Sequence, residues 1–303
     1  MRVAIFGSGF GLYGYLPALS AQQELQIVLP ERYRTKLSSR RDVCHLVDSV
    51  NWVEDEARAL ACVDALVVSQ RPSDQVHWVQ ASLERENIRL LLLEKPLAPD
   101  PTAAGVLLDR IERSGKKLRV GYIFRHLPWG RSLVERRSRD ELASRIDFRW
   151  LFRAHHYAED LDNWKRHVSV GGGALRFYGT HLIALLAELG YQSVQSSVTR
   201  GARPDEAESW TATFSGSGLP DATVALDSNS SIKQFSVQTG ADAVQVSDPF
   251  AELPSAGALD RRVQVLRDLC RDFFGEGISQ PDWYRASIEL WSGVERITRH
   301  EDN

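Results

Sequence analysis

The stretch Arg2-Val-Ala-Ile-Phe-Gly7-Ser-Gly9-Phe-Gly11-Leu-Tyr-Gly14 decides how this chain is read. The apolar residues before Gly7 read as a strand buried on both faces. After the glycines, helical periodicity runs through Leu16, Ala18 and Leu19. Glycine lets the chain turn sharply there, and lets a phosphate approach the N–H groups at the helix start. The usual pattern for such a loop is G-x-G-x-x-G, whose third glycine would fall at Leu12; this chain has Gly11 instead. A plain strand–helix turn would use the same residues, so the flanking sequence has to decide.

Outward from the loop, short apolar strands are expected at 25–29, 63–69, 88–93 and 117–122. Helical patterns separate them, through Val76, Val79, Ala81 and Leu83 and again over 102–114. Strands alternating with helices imply an α/β unit with a parallel, doubly wound sheet and right-handed crossovers. At the first strand of such a sheet the glycine loop reads as a dinucleotide-binding turn.

The end of the second strand selects the dinucleotide. A carboxylate there accepts hydrogen bonds from the adenine ribose and favours NAD, whereas guanidinium groups suit the 2′-phosphate of NADP. Pro30 stands at that end, followed by Glu31, Arg32, Arg34, Lys36, Arg40 and Arg41. The run also fits an exposed basic helix. The balance leans to NADP over NAD.

Beyond about residue 122 the period changes. Ile146, Phe148, Trp150 and Phe152 alternate with other residues, as do Trp210, Ala212 and Phe214, then Val224 and Leu226, then Phe235 and Val237. This predicts an α+β domain with a predominantly antiparallel sheet and helices. An apolar helix over 181–189 ends at Gly190, a C-cap signal. Amphipathic helices are expected at 259–274 and 281–298, and the polar tail 300–303 reads as frayed. The expected domains are 1–121 and 122–303.

Composition excludes several classes. The 303 residues suffice for one large domain or two modest ones, with a core that needs no staple. A net charge of −3 argues against a nucleic-acid or membrane-surface binder. No apolar run approaches the roughly 18–20 residues of a bilayer span. The chain enters a strand at once, leaving no room for a signal peptide. Three scattered cysteines without a C-x-x-C fit a reducing cytoplasm rather than a disulfide framework or zinc site.

Leu93-Glu94-Lys95-Pro96-Leu97, taken with the glycine loop and Leu16-Pro17-Ala18-Leu19, resembles the Gfo/Idh/MocA oxidoreductases, the family of glucose-fructose oxidoreductase and inositol dehydrogenase. Pro72 and His77, Val120-Gly-Tyr-Ile-Phe-Arg125 with Pro128, Asn163-Trp164-Lys165, Gly171-Gly-Gly173 and His181 follow in the family's order. The resemblance covers essentially the whole chain. It implies a Rossmann domain followed by a substrate and oligomerisation domain, and a cytoplasmic homo-oligomer, expected to be a dimer. The cofactor would lie against Gly7, Gly9, Phe10, Gly11, Glu31, Arg32, Arg34, Ser69, Pro72, His77, Glu94, Lys95 and Pro96. Lys95 would move or position a proton at the substrate oxygen. His181 and Tyr178 would assist, and Arg125, Lys165, Phe177 and His156 would line the substrate pocket. The substrate would be a sugar, nucleotide-sugar or cyclitol, and no metal is expected. The peptide before Pro96 is cis in some members.

The chain departs from the family at one position. Where the family carries an Asp four residues before the histidine, this sequence has Phe177. On an α-helix 177 and 181 share a face, so an Asp could touch the substrate or tune the His; a phenyl ring can only pack. Three readings follow. Lys95 and His181 could still carry proton transfer, with Tyr178, Lys165 or His156 filling the polar role. The substrate could differ, with Phe177 as an apolar wall or Arg176 binding an anionic group. Or the chain could bind a nucleotide without turning over. An epimerase or hydrolase using NAD transiently is a further alternative.

Overall fold

The computed structural model describes residues 1–142, 144–254, 257–275 and 282–302. The chain divides into two compact units. One is Met1–Leu97 with Val106–Ile123 and Leu253–Pro281; the other is Ala98–Gly105 with Phe124–Glu252 and Asp282–Asn303. A single cut at 121/122 would give the helix Arg262–Phe274 to the second domain, but that helix groups with the first unit.

The first unit contains β1 (Arg2–Phe6), a π-helical turn Gly11–Tyr15 leading into α1 (Leu16–Ser20), β2 (Gln26–Pro30), α2 (Arg34–Ser38), β3 (Asn51–Val53), α3 (Glu56–Leu60), β4 (Ala65–Val68), α4 (Pro72–Leu83), β5 (Leu90–Leu93), α5 (Pro101–Arg113) and β6 (Lys117–Val120). Residues 101–105 of α5 are assigned to the second unit. The strands pair in the order β3-β2-β1-β4-β5-β6, all parallel. This is the doubly wound dinucleotide-binding order, whose switch point lies between β1 and β4. All four residues of β4 are buried, which is why a continuous apolar run was readable there. The edge strand β3 escaped notice because its three residues are half-buried or exposed.

The second unit contains α6 (Pro128–Ser138), β7 (Ile146–Arg153), α7 (His155–Ala158), α8 (Thr180–Leu189), β8 (Ser193–Gly201), β9 (Ser209–Gly216), β10 (Leu219–Asp227), β11 (Asn229–Thr239) and β12 (Asp242–Val246). The chain then returns to the first unit as α9 (Arg262–Phe274) and ends in the second with α10 (Trp283–Ile297) and β13 (Arg299–Asp302). The strands pair in the order β12-β11-β7-β10-β9-β8-β13. Most pairs are antiparallel, but β7–β10 and β8–β13 are parallel, so the sheet is mixed. The tail is not frayed: residues 299–302 pair with Val198–Gly201, because main-chain hydrogen bonds to an open edge do not require apolar side chains. Asn303 lies outside the described residues.

The core of the second unit explains its aromatic content. Phe148, Trp150, Trp210, Phe214 and Phe235 are buried. Buried indoles find acceptors: Trp210 Nε1 donates to Ser197 Oγ at 3.0 Å, and Trp129 Nε1 to the Pro249 carbonyl at 3.0 Å. α8 is buried along nearly its whole length and stops at Gly190, which is left-handed at φ 99°.

Arg176, considered above as an anion receptor, is occupied within this unit. Its guanidinium grips Glu295 at 2.7 and 2.6 Å and donates to the carbonyls of Pro99 and Val168 at 3.1 and 2.9 Å. Both charged side chains are largely buried, at 16% and 19% exposure. Arg176→Ala should therefore cost about 3–5 kcal/mol, because it strands a buried carboxylate and two carbonyls. Urea unfolding followed by tryptophan fluorescence measures this, and a loss below about 1 kcal/mol would show the pair to be a mere surface contact.

Candidate functional site

The glycine loop is shaped by a main-chain collision. Gly7 sits at φ +140°, and a Cβ there would lie 2.1 Å from the carbonyl oxygen of Ser69, just past β4. Only glycine allows that approach. The Ser69 amide donates to Phe6 at 2.7 Å, and the Gly7 amide to the Tyr33 hydroxyl at 3.2 Å. Gly9 is exposed, and an added Cβ would meet nothing within 4 Å. The crest of the loop is thus bare backbone facing open space at the start of a helix, a cradle that fits a pyrophosphate. The Phe10 ring instead packs inward, against Tyr13, Tyr15 and the guanidinium of Arg262 4.3 Å away.

The basic residues after β2 do not all point the same way. Arg32 is ion-paired with Glu56, whose side chain is 9% exposed, and also donates to Tyr33. Arg34 pairs with Glu31 at 2.5 Å and lies over Trp52. The hydrogen bond from Arg34, with its charge, holds the Glu31 carboxyl below its ordinary value. Lys36 reaches the glycine loop itself, with Nζ 3.3 Å from Ser8 Oγ. It is the cation most directly placed at the cradle, although the sequence offered no reason to prefer it within the basic run.

The Glu94-Lys95-Pro96 turn begins where β5 ends, at the carboxyl edge of the sheet. The Lys95–Pro96 peptide is cis. Tyr15 donates from its hydroxyl to Glu94 Oε1 at 2.6 Å. Burial raises the Glu94 carboxyl above its ordinary value, against the opposing charge of Lys95; burial and then the Glu94 charge raise the Tyr15 hydroxyl. Gln75, missed in the sequence, grips this turn from α4. Its Nε2 donates to the carbonyls of Glu94, Pro96 and Leu97 at 2.8, 3.2 and 3.0 Å, while Oε1 accepts from the Glu94 amide at 2.9 Å. Its only sequence signal is a polar residue on the helix face formed by Pro72, Val79 and Ser82. Pro72 starts that helix; His77 is exposed on it, edge-on to Trp78.

In the second unit the triple glycine folds residues 171–173 back on the preceding loop. Gly173, at φ +74°, donates to the Lys165 carbonyl at 2.8 Å, and Gly172 to that of His167 at 2.8 Å. This seats Trp164 edge-on to Phe177, with ring centroids 5.2 Å apart, and Lys165 Nζ 5.3 Å from the Phe177 ring centre. The segment Ala174–Gly179 is π-helical, so the α-helical argument that put 177 and 181 on one face does not hold through it. His181 lies in the first turn of α8, 6% exposed, its ring stacked 4.5 Å from that of Phe124. Arg125 is held by Glu188 at 2.7 Å.

Tyr178 packs edge-on against Trp150 and Phe152 and lies 6.5 Å from His156. Burial pushes its hydroxyl far above the usual phenol range, so at neutral pH it can donate a hydrogen bond but is not an anion. His156 is 3% exposed, and its Nε2 has no hydrogen-bond partner among the described residues. Among the described residues no group of three or more His, Cys, Asp or Glu could hold a metal, and no helix is long and apolar enough to cross a membrane.

Burial, and next the charge of Lys165, lower His156 from 6.5 to about 4. Between those values the unfolded chain binds a proton that the folded chain refuses, so this group's contribution is complete above about 6.5 and lost as pH falls toward about 4. Denaturation at successive pH values should show that slope, and His156→Gln should flatten it. An imidazole titrating near 6.5 by NMR would refute the assignment.

Residues 1–122 match the family model described as oxidoreductase family, NAD-binding Rossmann fold. Among curated proteins, YteT of Bacillus subtilis (strain 168), an oxidoreductase by name, is 21% identical over 154 residues; the match spans 50% of this chain and 36% of YteT. Among solved structures, a point mutant of KijD10, a 3-ketoreductase from Actinomadura kijaniata in complex with TDP-benzene and NADP, is 19% identical. It covers 100% of this chain and 99% of its own, with a TM-score of 0.71. GenD2 from gentamicin A biosynthesis, in complex with NAD, is 19% identical over 98% of this chain and 93% of its own, at 0.73. An NAD-binding oxidoreductase from Klebsiella pneumoniae is 13% identical over 98% and 96%, also at 0.73. At such identities the structural likeness is one of fold. The match to the Gfo/Idh/MocA oxidoreductases thus covers the amino-terminal Rossmann domain, residues 1–122.

Proposed function

We propose that the protein is an NADP-dependent oxidoreductase acting on a carbonyl or secondary alcohol of a nucleotide-linked sugar. One observation carries the reading: Lys95 stands at the carboxyl edge of β5, and its neighbour Glu94 is tied by Tyr15 to the helical run that follows the glycine loop. Ligands of doubly wound sheets bind at that edge. The fold shared with a ketoreductase that binds a TDP compound and NADP points to the same chemistry. The nicotinamide, when bound, supplies or accepts the hydride.

The chain's own residues supply the rest. The bare crest at Gly9 receives the pyrophosphate, and Lys36 offers a charge for the 2′-phosphate. Lys95 gives a proton to the substrate oxygen as the carbonyl is reduced and takes it back in the reverse direction. In the second unit, the His181 ring is held by stacking on Phe124. Tyr178 serves as a fixed donor. Phe177 forms an apolar wall beneath Lys165, and Arg125 is a braced rather than a mobile cation. A cavity of about 370 Å³ in the second unit, lined by Trp150, Phe152, Arg153, Lys233 and Phe250 among others, pairs aromatic rings with cations, as a nucleotide handle requires. The homodimer rests on the family resemblance alone; sedimentation measures it directly.

The test is turnover of NADPH or NADP with a panel of nucleotide-linked keto-sugars and their alcohols. A preparation that binds NADPH and turns over none of them overturns the reading in favour of a nucleotide-binding protein without catalysis. Lys95→Ala should lower kcat by about 10²–10⁴-fold with NADPH affinity largely kept. Lys36→Ala should weaken NADPH about tenfold or more and leave NADH nearly unchanged; equal losses for both would move Lys36 from the 2′-phosphate to the pyrophosphate.

A further inference from the structure

We propose that Gln75 is a positioning residue for Lys95, its side-chain amide fixing the main chain on both sides of the lysine. The inference rests on the reading of Lys95 as the proton-handling group. Lys95 lies in an irregular stretch: β5 has ended at Leu93 and α5 begins only at Pro101. Regular secondary structure therefore does not fix its Cα. The Glu94 amide reaches back to Val68 at 2.9 Å, which anchors the turn on one side only. Gln75 completes the frame. It meets both polar groups of the Glu94 main chain before the lysine, and the carbonyls of Pro96 and Leu97 after it.

The residue type suits the task. The turn offers three carbonyls and one amide to a single side chain, so that side chain must both donate and accept. A carboxamide does this from one planar group, whereas a carboxylate cannot donate and an apolar chain can do neither. Gln75 is 1% exposed, so water cannot take its place. Its own position is rigid, since its amide donates to Arg71 at 2.9 Å in the first turn of α4. Side chains that aim a reacting group do so through such locked supports, and displacement of about 1 Å can cost about 10²-fold in rate.

The test compares Gln75→Met, which keeps volume and loses every hydrogen bond, with Gln75→Glu, which keeps shape and loses the donor. One readout needs no substrate: the rate of Lys95 acetylation by sulfosuccinimidyl acetate across pH, read by peptide mass spectrometry with Lys117 and Lys233 as internal references. In folded Gln75→Met the Lys95 rate should change by about threefold or more and the amides of Lys95 and Leu97 should exchange about tenfold faster, while the reference lysines and NADPH affinity stay put. With a keto-sugar that the wild type reduces, kcat should fall about 10–100-fold with little change in KM, and Gln75→Met should add nothing to Lys95→Ala. An unchanged Lys95 acetylation rate in either folded variant overturns the inference, as does a loss that multiplies onto Lys95→Ala. If Lys95→Ala alone keeps full turnover, the reading of Lys95 falls instead, and the acetylation result still decides whether Gln75 positions it.

Discussion

The close approach of Gly7 to the carbonyl of Ser69 is the constraint on which the dinucleotide unit depends. β1 and β4 are neighbours in the sheet, and the chain leaves them at the switch point, where it must open a crevice. With any side chain at position 7 the loop would have to lift off β4. The Ser69 and Gly7 amides would lose Phe6 and Tyr33, and the helix start would no longer present its N–H groups at the edge of the sheet. Tyr33 connects this point to Glu56 at 3.0 Å and to Gln70 at 3.3 Å, so the end of β2 and the turn after β4 are held to the same hydroxyl.

Around that crevice the polar groups are paired before any ligand arrives. Arg32 has Glu56, Arg34 has Glu31, and Tyr15 has Glu94. Such pairing keeps side chains in fixed places, which is what a preorganised site needs. It also separates braced groups from less constrained ones: Arg32 is gripped by the buried Glu56 carboxylate, whereas Lys36 rests on a serine hydroxyl.

Much of the fold was legible because each signal was local. The apolar run of β4, the glycines after β1 and the Gly190 stop of α8 each depend on a few adjacent residues. Three features were not, for physical reasons. β13 has no apolar pattern, since it adds to an edge by main-chain bonds alone. The π-helical turn at 174–179 looks α-helical in sequence, so the geometry of Phe177 was misjudged. Gln75 lies 19 residues before the turn it grips, and nothing in a polar residue on an apolar helix face says which carbonyls it will meet. The placement of α9 is the same kind of long-range fact: its amphipathic period was clear, its destination was not.

That destination bears on how the protein is made. The dinucleotide unit takes its last helix from residues 262–274, whose buried face includes Val263, Leu266, Leu269, Cys270 and Phe273. α9 packs against α1 and the turn before it, and Arg262 lies over Phe10. A growing chain that has already produced all six parallel strands still lacks this cover, so the helix following the glycine loop stays partly bare while more than 120 further residues are added. Contacts of such long sequence separation close slowly, and the exposed apolar surface of an unfinished unit invites aggregation. The amino-terminal unit, although synthesised first, is thus completed late, and a truncation before residue 262 would injure the front of the protein rather than its end.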